Sequence, residues 1–225
     1  MNEVGELRPS QLVFTFGIGA MVDLPSLSVL VMGLNDWKEN DCLPLNERRL
    51  LIAVQQRLGD QVKKLVHPPF APDEATAGVR TLGVPVAAFP RWMRCPYCNY
   101  LATVDGGVFK LIKDPYRPER TRYIHANCGV AKSPTVLPVR FVLACSKGHL
   151  ADFPWIDYVH GGVAPCQPSQ LKLYEVGSSG EATNIFVECT TCKKLRPLAP
   201  ALGSTAEDAS SKQRGGWPCP GHHPH

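Results

Sequence analysis

Eight of the nine cysteines fall into two groups along the chain, and each group contains one Cys-x-x-Cys pair. A gap of two residues lets one tight turn present two thiolates to a single ion, and four thiolates satisfy the tetrahedral preference of Zn²⁺. The spacing therefore predicts two structural Zn²⁺ sites. The first would use Cys95, Cys98, Cys128 and Cys145, and the second Cys166, Cys189, Cys192 and Cys219.

Two histidines leave the ligand sets open. His149 follows Cys145 closely and could replace Cys145 or Cys128, while His222 could enter the second site and leave Cys166 out. We prefer the two all-cysteine sets. Because four protein thiolates leave no open coordination position, such sites stabilise a fold and do not catalyse.

Sequence signatures of catalysis are missing. There is no Gly-x-x-x-x-Gly-Lys-[Ser/Thr] loop for nucleotide phosphates and no Gly-x-Ser-x-Gly nucleophile elbow. A zinc deaminase is disfavoured, because no His-x-Glu segment accompanies a Pro-Cys-x-x-Cys motif. We therefore expect a binding protein and not an enzyme. Cys42 has no companion at ligand spacing and is expected in neither zinc site.

The composition places the protein in a reducing compartment. The N-terminus is acidic and polar, unlike a secretory signal, and no apolar stretch approaches the roughly 20 residues of a membrane helix. Cysteine-rich chains of this kind bind metal in the cytoplasm more often than they form disulfides. We expect a cytoplasmic protein with no membrane partner.

One short basic segment is the best candidate for nucleic-acid binding. Guanidinium groups neutralise phosphates and tyrosines can stack on bases. The net charge of +4 permits such a role without arguing strongly for it. A solvated loop is the simpler interpretation, and we favour it. The candidate residues are Lys113, Arg117, Arg120 and Arg122, interleaved with Tyr116 and Tyr123.

The strand and helix patterns of the sequence predict an α+β protein, irregular and β-rich, organised by two zinc-ribbon-like sites. We divide it into an N-terminal β-rich segment with one helix over 1–92, a first zinc-ribbon-like module over 93–165 and a second zinc module over 166–225. The N-terminal helix is predicted over 46–58, with Asn46 as its N-cap. Further predictions are a hairpin over 101–111, a strand over 137–143, a helix over 152–159 and two strands over 171–176 and 184–187.

Several long motifs together resemble the DrmB family, a component of the bacterial DISARM anti-phage defence system. They include RPSQLVFTFGIGAMVDLP (8–25), VLVMGLNDW (29–37), FPRWMRCPYC (89–98), PVRFVLACSKGHLADFPWIDYVH (138–160) and VECTTC (187–192). The resemblance spans nearly the whole chain. Members run longer, so it implies that this chain corresponds to the N-terminal, zinc-binding part, cut short within its second zinc module.

The resemblance also implies partners. DrmB-like proteins act beside a large helicase, DrmA, and the pair engages DNA, single-stranded DNA included. The expected function is thus a zinc-binding accessory subunit of a helicase-containing defence complex, contributing to assembly and to DNA binding. The alternative is a free-standing nucleic-acid-binding zinc module. A metal- or thiol-dependent enzyme is the third hypothesis, and it requires a metal with an open coordination position.

Overall fold

The computed structural model describes most of the 225-residue chain. The described ranges are 3–69, 83–162, 164–177, 184–202, 219, 221 and 223–225. His222, the alternative ligand of the second predicted zinc site, lies outside them.

Within these ranges the protein is mostly β-structure with short helices, so the predicted α+β, irregular β-rich class is confirmed. The helices are α1 (Pro9–Phe14), α2 (Arg48–Leu58) and α3 (Trp155–His160). The strands are β1 (Met21–Leu24), β2 (Leu27–Val31), β3 (Val86–Ala88), β4 (Trp92–Arg94), β5 (Tyr100–Thr103), β6 (Phe109–Ile112), β7 (Arg122–His125), β8 (Leu137–Pro138), β9 (Val142–Ala144), β10 (Leu150–Asp152), β11 (Leu171–Glu175), β12 (Ile185–Cys189) and β13 (Leu195–Pro197).

A six-stranded antiparallel sheet forms the centre of the molecule. Its strand order is β13-β12-β11-β5-β4-β8. Strands β4, β5 and β8 come from the predicted first zinc module, and β11 to β13 come from the second. The two halves join where Leu171 and Lys172 pair with Leu101 and Tyr100. The predicted boundary at residue 165 therefore falls between strands that share one sheet.

The principal hydrophobic core lies between this sheet and α3. Trp155 and Tyr158 are fully buried on α3, and Phe153 packs against both of their rings. The sheet contributes alternate residues of β11 and β12, with Leu171 and Val187 among those buried. This period-two burial is what a sheet with one covered face requires.

The N-terminal part has its own small core. Strands β1, β2 and β3 form a three-stranded antiparallel sheet, and every residue of β2 is buried. Helix α2, in contrast, buries none of its residues. Its N-cap is Glu47, which accepts a hydrogen bond from the Arg49 N–H, and not the predicted Asn46. Gly59 ends the helix with a positive φ, as a C-terminal glycine is expected to do.

The predicted hairpin over 101–111 is wrong in its pairing. Both strands exist, but β5 pairs with β4 and β11, whereas β6 pairs with β7 in a separate two-stranded sheet. The turn at Val104–Gly106 is helical, and Gly107 follows in the left-handed region. The chain therefore leaves the sheet at this turn and does not fold back on β5.

Two further predictions are corrected nearby. The strand predicted over 137–143 is two strands, β8 and β9, which lie in different sheets. The helix predicted over 152–159 begins later, at Trp155, and Asp152 lies in β10. The strands predicted over 171–176 and 184–187 are confirmed as the antiparallel pair β11 and β12. Among the described residues, no helix combines the length and hydropathy that a membrane crossing needs.

Candidate metal centres

Three tight turns place cysteines at the ends of strands. In the turn after β4, the Cys95 N–H donates to the Tyr100 carbonyl, and the Asn99 N–H donates back to the Cys95 carbonyl. Asn99 holds a φ of 60° to close this turn. The turn after β12 repeats each feature with Cys189, where Lys193 has a φ of 62°. Two Cys-x-x-Cys pairs thus adopt one local geometry in two places.

The third turn connects β9 to β10. The Cys145 N–H donates to the His149 carbonyl, and the Gly148 N–H donates to the Cys145 carbonyl. Gly148 has a φ of 78°, a conformation that costs glycine little. The turn is one residue shorter than the other two, and its second potential ligand is His149, at its last position, instead of a second cysteine.

The first cluster is Cys95, Cys98, His125 and Cys128. Its histidine is the last residue of β7, and the ring packs edge-on against Phe109 at 5.5 Å between centroids. The His125 Nδ1 lies 3.4 Å from the Cys98 Sγ, and the Cys95 and Cys128 sulfurs are 3.9 Å apart. The cluster therefore joins the β4–β5 turn to the β6–β7 sheet.

The second cluster is His160, Cys166, Cys189 and Cys192. His160 is the last residue of α3, and only 3% of it is exposed. Its Nδ1 lies 2.6 Å from the Ile156 carbonyl, to which the N–H donates, so Nε2 is left to face the thiols. The Nε2 atom is 3.3 Å from the Cys166 Sγ and 3.5 Å from the Cys192 Sγ.

The third cluster is Cys145, His149 and Cys219. The His149 Nδ1 lies 3.4 Å from the Cys145 Sγ and 3.3 Å from the Cys219 Sγ. In all three clusters the candidate donor atoms lie within 4.8 Å of one another. All nine cysteines, each of which the structure describes, are outside disulfides.

The sulfur–nitrogen separations and the Cys95–Cys128 separation fit Zn²⁺, whereas the Cys166 and Cys189 sulfurs lie closer together than a bound ion would hold them. Zinc–sulfur bonds of about 2.3 Å and zinc–nitrogen bonds of about 2.0–2.1 Å, at tetrahedral angles, put sulfur pairs about 3.8 Å apart and sulfur–nitrogen pairs about 3.5 Å apart. The Cys95–Cys128 sulfur pair is separated by 3.9 Å and the Cys166–Cys189 pair by 3.3 Å. Thiolates and imidazoles are also the donors that a borderline-soft ion selects. The clusters can hold metal ions, and their donor set is consistent with zinc.

Backbone N–H groups favour the thiolate form at several of these sulfurs. Burial opposes ionisation of Cys189, but hydrogen bonds from the Cys192 and Thr191 N–H groups and from the Cys166 thiol outweigh it, lowering the Cys189 pKa to about 6. Hydrogen bonds from the Val130 and Ala131 N–H groups likewise lower the Cys128 pKa. A metal ligand must be deprotonated, so these turns prepare the sulfurs for binding.

Two other donors in the first cluster respond to burial. Burial lowers the pKa of the His125 imidazole and so favours the neutral form that binds metal. Burial, with the neighbouring Cys95 and Cys128 thiols, raises the Cys98 pKa to about 11. A divalent ion would reverse that last effect, because it stabilises the thiolate directly.

The structure corrects the predicted grouping of the cysteines. Cys145 does not complete the first site, and Cys219 does not complete the second, because both lie beside His149 in the third cluster. The fourth member of the first cluster is His125, and the fourth member of the second cluster is His160. His125 was missed, although it stands three residues before Cys128, the same spacing as in a Cys-x-x-Cys pair. Cys42 lies outside all three clusters, and its Sγ is 3.6 Å from the Lys38 carbonyl.

The four basic candidates lie at the connection between β6 and β7. Lys113, Arg117 and Arg120 are exposed, and Arg122 is half-buried at the start of β7. Tyr116, between them, is 92% exposed. None of the four basic groups is in an ion pair within the described part of the chain. The segment is thus an open basic surface attached to a strand that ends in His125.

Comparisons with known proteins agree with the motifs. The chain is similar to the DISARM protein DrmB of Bacillus paralicheniformis, with 35% identity over 88 residues. That match covers 39% of this chain and 14% of the relative, so the chain spans only a small part of the relative's length. A family model described as a domain of unknown function matches residues 8–225. The chain therefore belongs to the family of this domain of unknown function, DUF8724.

Proposed function

We propose that this protein is a zinc-organised, non-catalytic accessory subunit of a DISARM-type anti-phage defence complex, in which it binds a helicase partner. The observation that carries the proposal is the similarity to a DISARM protein DrmB. The long motifs of the sequence support the same family. A cytoplasmic site of action follows from the proposal, because invading DNA is met there.

The metal geometry supports a structural and not a catalytic role. The first and second clusters each offer four protein donors, and a tetrahedral ion bound to four protein ligands has no place for a substrate. The donors also come from segments far apart in sequence, such as β4 and β7 in the first cluster. An ion at each site would therefore tie these segments together and contribute directly to folding free energy.

The N-terminal helix supplies a surface for a protein contact. On α1, Phe14 is 86% exposed and Val13 is 71% exposed. Ile18 and Met21, which follow closely in sequence, are 44% and 45% exposed. These four apolar side chains lie within nine residues of sequence, and contiguous exposed apolar surface marks interaction sites. We assign the helicase contact to this surface, which we call the α1 surface: Val13, Phe14, Ile18 and Met21.

Co-purification tests the assignment. The full chain is expressed with a tagged DrmA-like helicase, and retention on the tag is measured for the wild type and for Val13→Ser/Phe14→Ser. We expect retention of the wild type and at least about tenfold weaker retention of the variant, since two large apolar contacts contribute well over 1.4 kcal/mol. Leu50→Ser/Leu58→Ser, at two exposed apolar residues of α2, is the matched control. No retention of the wild type would refute the proposed partnership.

DNA binding is a second candidate function, favoured by the open basic segment. Its arginines are free of ion pairs in the described residues, and Tyr116 is placed to stack on a base. The segment also contains Asp114, which accepts hydrogen bonds from the Tyr116 and Arg117 N–H groups and so shapes the loop. The first cluster anchors this loop through β7.

Salt-dependent anisotropy tests DNA binding. Labelled single-stranded DNA is titrated with wild-type protein and with Arg117→Ala/Arg120→Ala/Arg122→Ala across a series of salt concentrations. Loss of three phosphate contacts should reduce the slope of log K against log salt by about 2. Removing three exposed arginines of α2 is the charge-matched control: Arg48→Ala/Arg49→Ala/Arg57→Ala. Equal slopes for the two triple variants would exclude the segment as a specific binding surface.

A further inference from the structure

The third cluster has the local geometry of a metal-binding turn. Like the other two turns, it follows a strand, begins with a cysteine whose N–H is paired across the turn, and closes through a residue of positive φ. The Cys145 Sγ also accepts a hydrogen bond from the Lys147 N–H at 3.4 Å. The third turn shares this construction without a Cys-x-x-Cys pair, which argues that it serves the same purpose as the other two.

Its donors come from two distant parts of the chain. Cys145 and His149 belong to the β9–β10 turn, whereas Cys219 comes from the last seven residues. The His149 Nδ1 lies between the two sulfurs, within 3.4 Å of each. The His223 ring lies 4.9 Å from the His149 ring, so the C-terminal residues contact the β9–β10 turn at His223 as well as at Cys219.

The same terminal residues reach the N-terminal sheet. The Gly33 N–H, just after β2, donates to the His225 carbonyl oxygen at 2.8 Å. A Cβ on Gly33 would lie 2.9 Å from that oxygen, and one on Gly19 would lie 2.9 Å from the His225 ring. Glycine at these two positions is what permits so close an approach. The contact between Gly33 and His225 is noncovalent, and five residues separate His225 from Cys219 in the sequence.

We propose that Cys145, His149 and Cys219 bind a third Zn²⁺, and that this ion acts as a clasp that keeps His225 against the β1–β2 sheet. A bound ion would restrict Cys219 to one position and so lower the entropy cost of seating His225 beside Gly33. The third ion thus couples the β9–β10 turn to the N-terminal sheet. The β9–β10 pair and the N-terminal sheet have no strand pairing with each other.

The third ion is the most easily removed. Cys219 is exposed, and Cys145 and His149 are only half-buried. In contrast, Cys95 and Cys189 are fully buried in the first and second clusters. Three donors also hold an ion less tightly than four of the same kind. The clasp therefore opens at chelator concentrations that leave the other two ions in place.

Metal counting tests the site. The full chain is loaded with excess Zn²⁺, desalted and analysed by plasma mass spectrometry. We expect three ions in the wild type and two in Cys145→Ser/Cys219→Ser, with Cys42→Ser as the control that removes a thiol outside the clusters. On Co²⁺ loading, the thiolate charge-transfer intensity should fall by about a quarter in the double variant, because eight cobalt–sulfur bonds become six. A wild-type count of two overturns the third site whether or not the variant folds.

Hydrogen exchange tests the clasp separately. Exchange of the Gly33 amide is followed in the zinc-loaded wild type and in His149→Gln, a milder change that keeps both cysteines. We expect at least about tenfold faster exchange at Gly33 in the variant, with the amides of β11 and β12 unchanged. Unchanged exchange at Gly33 in a protein that has lost one ion overturns the clasp.

Discussion

His160 offers the sharpest test of the second cluster. The side chain is buried at the end of α3, and its Nε2 lies within 3.5 Å of the sulfurs of Cys166 and Cys192. Its Nδ1–H donates to the Ile156 carbonyl, so the ring orientation and the tautomer are both set by the helix. Replacing His160 by Ala removes one of four donors and leaves the three cysteines in place.

The size of the effect can be worked from the coordination. Mutating an outer partner of a ligand costs about 10–100-fold in metal affinity, so losing the ligand itself should cost at least about 100-fold. At saturating zinc this lowers the metal-dependent part of the free energy of unfolding by about 2.7 kcal/mol. For a chain of this length, that corresponds to a fall in Tm of about 5–11 °C.

The assay is thermal unfolding with zinc and again with excess chelator. The difference between the two Tm values isolates the metal contribution from the cavity that the smaller side chain leaves. His67→Ala is the matched control, because His67 is exposed and outside all three clusters. Its metal-dependent difference should match that of the wild type.

One result would refute the reasoning. If His160→Ala binds as many zinc ions as the wild type and keeps the same metal-dependent Tm difference, His160 is not a ligand. The buried imidazole would then serve packing and the Ile156 hydrogen bond alone. A fall in Tm that is equal with zinc and with chelator would lead to the same conclusion.

Three further outcomes are expected. Cys42→Ser should leave the zinc count and Tm unchanged, because Cys42 lies outside the clusters; mass spectrometry and thermal unfolding check this. Chelation of the wild type should lower its Tm, measured by calorimetry, since metal binding contributes to the free energy of folding. Asp152→Ala should lose about 1 kcal/mol by removing the acceptor of the Arg91 N–H, while Asp152→Asn keeps an acceptor. Burial raises the pKa of Asp152 above its unfolded value of 3.8. The carboxyl therefore contributes its full stability below pH 3.8 and loses that contribution as pH rises through its folded pKa. In denaturant titrations, the free energy of unfolding of Asp152→Asn should rise relative to that of the wild type as pH increases.

Local features of this protein could be read from the sequence. A Cys-x-x-Cys pair needs only one tight turn, so the turns at Cys95 and Cys189 were predictable from spacing alone. The pair β11 and β12 was predictable because two β-rich runs flank a short polar turn. The predicted end of α2 at residue 58 is correct for an equally local reason, since Gly59 follows it and tolerates a positive φ. The β-rich class followed from the accumulation of such signals.

What spacing could not decide was which distant residue completes each metal cluster. Cys128 and Cys145 are both downstream of the first turn, and either could close a tetrahedral set in a flexible chain. The choice depends on sheet pairing: β7 carries His125 and Cys128 to the first turn, while β9 carries Cys145 away from it. Histidines are also ordinary core and surface residues, so their spacing alone does not identify them as ligands.

The sequence by itself determined where the two Cys-x-x-Cys turns form, because six consecutive residues settle their hydrogen bonds and dihedral angles. The tertiary structure decided how the donors divide into three clusters and which strands neighbour one another. The hairpin predicted over 101–111 shows why. By sequence order β5 could pair with β6, but it pairs with β4 and β11, where Leu101 is buried in the principal core. Burial of this kind depends on residues far apart in the chain, which no local pattern contains.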